Sequence, residues 1–146
     1  MKYKLELTKS QLQTLQLATE IYARLGIGQI RDAINVLPLD ESKGYPPIHE
    51  ICRDVEAVIA KHTISNVDGY RASLGIHHKD VKEPVKIAWD LHQVIRQRLA
   101  WDHAIEKGIV ENRRSPRNWA GGMIGVHYDD PMKTSVEPLA RISDDH

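Results

Sequence analysis

Residues 113–122 read Arg-Arg-Ser-Pro-Arg-Asn-Trp-Ala-Gly-Gly, a segment built from the side chains that grip anions. Arg113, Arg114 and Arg117 each carry a planar fork that matches phosphate or carboxylate oxygens and stays ionised at any working pH. Trp119 offers a flat face on which a purine stacks, worth roughly 1–3 kcal/mol in nucleic-acid systems. Gly121 and Gly122 allow backbone N–H groups to approach an anion closely, and Asn118 adds a polar side chain beside them. Together these residues form a candidate site for a nucleotide-like anion. The competing reading is an exposed basic loop that Trp119 anchors to the core. No spacing in the segment matches a phosphate loop or a dinucleotide fingerprint.

A second cationic group lies on the longest helical pattern. At 100° per residue, Ile87, Leu91, Val94, Arg98 and Trp101 share one stripe, with Arg98 in its middle. A guanidinium there must reach water or meet an anion, because an unpaired buried charge is very costly. Asp102, one turn on, supplies the simple answer; a ligand anion in a pocket is the sharper one. Trp89, His92, Gln93, Arg96 and Ala100 lie on the opposite side. Arg96 joins Arg98 in the ligand-binding set. Trp89, His92 and Gln93 read either as one face of a helix sandwiched between two layers or as a subunit contact in a homo-oligomer, the latter preferred since one small domain has little second core to offer.

Other ligand-like groups fall short of a catalytic or metal site. In a strand His127 and Asp129 share a face while Asp130 turns away, and Asp129-Asp130-Pro131 is more economically a turn. His77-His78 with Asp80, and His49 with Cys52, match no known metal spacing, and neither Cys-x-x-Cys nor His-Glu-x-x-His occurs. Cys52 sits in an apolar helical stripe, where a thiol behaves as a small hydrophobe. Gly-x-Ser-x-Gly is absent. Glu50, Asp54 and Glu56 do not form the paired acidic signature of magnesium-dependent nucleotide pyrophosphohydrolases. The sequence therefore calls for no catalytic residue, no metal and no cofactor.

These groups must be positioned by a chain of 146 residues, 41% hydrophobic and 27% charged, which is the size and balance of one domain spanning 1–146. Twenty basic residues balance twenty acidic ones, so long-range attraction to nucleic acid or anionic lipid is not expected. No apolar run reaches the roughly 18 residues of a membrane helix, and the first ten residues lack the apolar core of a secretion signal. One cysteine, Cys52, excludes an internal disulfide and fits a reducing cytoplasm. Phenylalanine is absent, so all aromatic area (five Tyr, three Trp) carries a polar handle.

The opening residues 2–7 (KYKLEL) alternate with period two, as a strand does. Thr8 and Gln11 form a capping box for a helix carrying Leu12, Leu15, Ala18, Ile21, Tyr22 and Leu25, broken by Gly26 and Gly28. A short helix holds Ile30, Ala33, Ile34 and Leu37 and ends before Pro38. A loop over 38–47 leads through Pro46-Pro47 into a helix striped by Ile48, Ile51, Cys52, Val55, Val58, Ile59 and His62. After an irregular stretch over 65–82, the longest helix runs from about Pro84 to Asp102. Met123–Tyr128 and Leu139–Ile142 read as strands. The expected fold is α+β: a mostly helical domain of about four helices, with a small antiparallel sheet joining the two ends.

Two stretches carry a resemblance: residues 88–102 (AWDLHQVIRQRLAWD), and 128–135 (YDDPMKTS) continued by 137–140 (EPLA). With the Leu7-Thr8-Lys9 junction and residues 23–29 (ARLGIGQ), they resemble a family of small accessory proteins of tailed bacteriophages. The likeness covers about half the chain and does not extend to residues 104–122. Small accessory phage proteins often bind a host molecule without turning it over. One such class sequesters the nucleotide signals of bacterial immune systems, usually as an oligomer. The resemblance thus implies a non-enzymatic, nucleotide-binding anti-defence protein acting in the host cytoplasm. The alternatives are a module that inhibits a host or phage enzyme by protein–protein contact, and, less favoured, a weak nucleic-acid binder through residues 113–119.

Overall fold

A computed structural model describes residues 3–38, 48–62, 74–113 and 130–143, and these contain four helices: α1 (Lys9–Gly26), α2 (Arg31–Ile34), α3 (Ile48–Ala60) and α4 (Glu83–Glu106). The start of α1 follows from its capping chemistry. Thr8 is extended, its hydroxyl accepts from the Gln11 N–H at 3.3 Å, and the Gln11 side chain accepts from the Thr8 N–H at 2.8 Å. Two N–H groups left over by helix geometry are thereby satisfied. Beyond α1 the chain turns at Gly28, whose φ of 86° suits a residue without a side chain.

The other end of the long helix is equally well determined. Gly108 takes a φ of 67°, its N–H bonds the Ile105 carbonyl, and the Ile109 N–H bonds the Ala104 carbonyl, both at 2.9 Å. This is a Schellman closure, and it carries α4 one turn past the expected end at Asp102. At its start Pro84 occupies the first turn, where no N–H is needed.

α1 and α4 pack antiparallel: Lys9 meets Glu106 at one end, and Gly26 lies against Val85 at the other. Ile27, Val81 and Val85 form one buried cluster, with Leu74 and Ile76 against it; Trp101 and Ala104 form another with Val110. Val85, Ala88, His92 and Ile95 are buried at helical spacing, and Val85 and His92 contact α1. Asp90, Val94 and Trp101 are buried as well, so α4 is covered on more than one side. Leu17, Tyr22 and Leu25 on the outer face of α1 are exposed. In α3, Cys52 and Ala60 are buried, whereas Ile48 and Val58 of the expected stripe are exposed and His62 lies past the helix end.

The expected sheet is not formed, and the α+β assignment is corrected to a helical fold: among the described residues there is no strand. Residues 3–8 form no strand and are exposed on both alternating faces, with Tyr3, Leu5 and Leu7 at 87%, 72% and 38%. Alternation alone does not make a strand, which also needs a neighbouring backbone to pair with. The proposed partner at 139–142 is instead laid along α4, where the Ile142 carbonyl accepts from the Arg98 side chain at 3.3 Å. The other candidate strand, Met123–Tyr128, lies outside the described residues.

Candidate functional site

Residues 130–143 form an irregular strap over α4, tied down by the carboxylates of Asp90 and Glu83. Asp90 is 4% exposed and accepts four hydrogen bonds. One oxygen takes the Thr134 N–H (2.8 Å) and hydroxyl (2.7 Å); the other takes the Ser135 N–H (2.9 Å) and hydroxyl (2.6 Å). Burial pushes this carboxyl up, but the bonds from Ser135 and Thr134 together outweigh it and hold it below its ordinary value. Glu83 adds a bond to the Val136 N–H at 2.5 Å, and Gln97 reaches Asp130 at 3.4 Å.

The far end of the strap helps to enclose a groove of about 480 Å³ between the start of α1, the last turns of α4 and Arg113. Leu7, Leu12, Leu99, Ile105 and Ile142 supply its apolar lining. The charged lining is Lys9, Arg98 and Arg113 against Asp102 and Glu106, an excess of one cation. Asp102 sits between the two arginines. Its Oδ1 accepts from Arg113 Nη2 at 2.7 Å and Arg98 Nε at 3.0 Å, and its Oδ2 accepts from Arg98 Nε at 2.8 Å. Lys9 Nζ closes one rim against both Glu106 oxygens, at 2.6 and 2.7 Å. Arg98 is also held from the strap through the Ile142 carbonyl, and its side chain is 15% exposed. The arrangement is a fixed guanidinium pair at the mouth of a partly apolar groove, suited to recognising an anion by charge-assisted hydrogen bonds.

Of the residues singled out in the sequence, Arg98 and Arg113 are brought together here. Arg96 points elsewhere, donating to Gln93 at 2.7 Å. His92 is 1% exposed and faces α1, with Nδ1 3.4 Å from the Gln16 carbonyl oxygen and 3.8 Å from Glu20. It therefore belongs to the packing between helices, not to a surface open to a second subunit. Burial lowers its basicity, and the nearby Glu20 carboxylate only partly offsets this. The Trp89 ring is 5.7 Å from that of His92, at a tilt of 44°. Arg114, Arg117, Asn118, Trp119, Gly121 and Gly122 lie outside the described residues. Among the described residues no three His, Cys, Asp or Glu side chains converge as metal ligands, and no helix is long and apolar enough to cross a membrane.

Sequence reasoning missed Lys9, Glu106 and the Asp90 latch. The Lys9–Glu106 pair spans 97 residues, and no local pattern announces it. The latch left a faint signal: Thr134-Ser135 in a non-helical stretch, where hydroxyls satisfy a nearby acceptor. The chain matches no protein-family model, no curated protein and no solved structure.

Proposed function

We propose that this protein binds a small nucleotide-derived anion without chemical turnover, and that the Arg98–Arg113 groove is where the anionic group sits. The observation that carries this reading is the convergence of two arginines, fifteen positions apart in sequence, on one groove around a single carboxylate. A guanidinium presents its N–H donors as a planar fork, the geometry that meets a phosphate bidentately. The resemblance to small tailed-phage proteins supports a role in sequestering an immune signal of the host, in the host cytoplasm and as a homo-oligomer. Useful sequestration needs nanomolar affinity, about −12 kcal/mol.

The test is a thermal-shift screen with ADP-ribose, cyclic mononucleotides and cyclic dinucleotides, joined to native mass spectrometry of the freshly purified protein. A binder present at about a hundredfold over its Kd adds roughly 2.7 kcal/mol to stability, and Arg98→Ala with Arg113→Ala removes that gain. A melting temperature unmoved by every nucleotide refutes the reading. The exposed Leu17, Tyr22 and Leu25 on α1 favour a second one, an inhibitor that docks on a host or phage enzyme. In that case one stoichiometric partner is recovered from lysate, and nucleotides have no effect.

A further inference from the structure

The groove and the latch share one structural part, the strap. Its near end is clamped to α4 by Asp90 through Thr134 and Ser135, and by Glu83 through Val136. Its far end provides Ile142 and Ser143 to the groove wall and the Ile142 carbonyl to Arg98 Nη1. Arg98 is thus oriented from two directions: Asp102 fixes Nε, and the strap fixes the outer nitrogen. Asp90 and Arg98 lie eight positions apart on α4, a little over two turns, and the strap bonds to both side chains.

We infer that Asp90, Thr134 and Ser135 are positioning residues for anion binding: by latching the strap they set the orientation of the Arg98 guanidinium and the shape of the groove, without touching the ligand. The inference rests on the groove being the anion site. The physical basis is that a bidentate guanidinium–phosphate contact tolerates only small angular error, so an arginine whose outer nitrogen is held by the strap binds with less reorganisation than one that has lost that bond. The latch suits this task because all four donors come from two adjacent residues and both carboxylate oxygens are used, which fixes the strap in register along α4.

The test uses two variants of the full chain, Asp90→Asn and the pair Thr134→Val with Ser135→Ala. The second keeps the backbone donors and decides the matter where the first does not fold. Three quantities are read: hydrogen exchange of the Thr134, Ser135 and Val136 amides, the Arg98 Nε–H resonance, and the affinity for ADP-ribose and inorganic pyrophosphate. The expected result is at least tenfold faster exchange in the strap, a shifted or broadened Arg98 resonance, and at least tenfold weaker binding, with helical circular dichroism preserved. Faster exchange with the Arg98 resonance and both affinities unchanged overturns the inference. If the unmodified protein binds neither probe and no nucleotide of the thermal-shift screen, the proposed function fails by itself. The Arg98 resonance then still decides whether the latch positions that side chain.

Discussion

Gly26 lies directly against Val85 of α4, and replacing it with alanine tests how the two helices pack there. A Cβ built there falls inside the van der Waals envelope of Val85 Cγ2, 2.6 Å from Cγ1 and 3.0 Å from Cβ. Val85 cannot swing aside, because it is 5% exposed and a β-branched residue in a helix has essentially one rotamer. Overpacking of this kind costs about 1–3 kcal/mol, and three simultaneous close contacts place it at the upper end. Alanine recovers up to about 1 kcal/mol of helix propensity, less at a terminal position. The net loss expected for Gly26→Ala is about 2 kcal/mol, or about 7 °C in Tm for a chain of this size. Val85→Ala alone removes two buried methyl groups and leaves a void, costing about 2 kcal/mol. In that background the new methyl at position 26 fills part of the void, so Gly26→Ala becomes stabilising. The assay is a double-mutant cycle by urea denaturation, with an expected coupling of 2 kcal/mol or more in magnitude. A neutral Gly26→Ala, or two losses that simply add, would refute the close approach.

Acid weakens this fold in two stages. His92 is buried neutral, so the unfolded chain takes up a proton first; stability is full above about pH 6.5 and declines as pH falls from there toward the lower folded value. Asp90, also depressed, contributes stability that is present above the ordinary carboxylate value of 3.8 and is lost as pH falls through its lower folded value. A Tm-versus-pH series on the native chain and on His92→Gln checks this, the variant losing only the upper stage. Asp102→Asn removes the negative charge that competes with an incoming anion while its amide oxygen still accepts from Arg98 Nε, so pyrophosphate binding tightens several-fold by calorimetry while Tm falls; weakened binding would contradict the groove assignment. Thr8→Ala removes one half of the capping box and costs about 1 kcal/mol, read as a Tm lower by about 3 °C.

Much of the helical framework was legible residue by residue. Thr8 and Gln11 announce the start of α1, and Pro84 announces the start of α4. The Arg98–Asp102 pair also follows from spacing, because positions four apart on a helix are neighbours. Burial of α4 on more than one side was harder to read. Its apolar residues are interrupted by Asp90, His92 and Arg98, polar groups that are satisfied by α1, the strap and Asp102. Polar residues whose partners lie 44 or 76 positions away look, in sequence, like a solvated face.

The chain's local chemistry determined where helices begin and end, since caps, glycines and prolines act within a few residues. It also placed Arg98 one turn from its carboxylate. Tertiary structure alone decided that residues 3–8 and 139–142 would not pair, that Lys9 would meet Glu106, and that Arg113 would join Arg98 at one groove. The reason is range: helix capping is settled by bonds three or four residues long, whereas the groove and its strap exist only after α1 and α4 have packed.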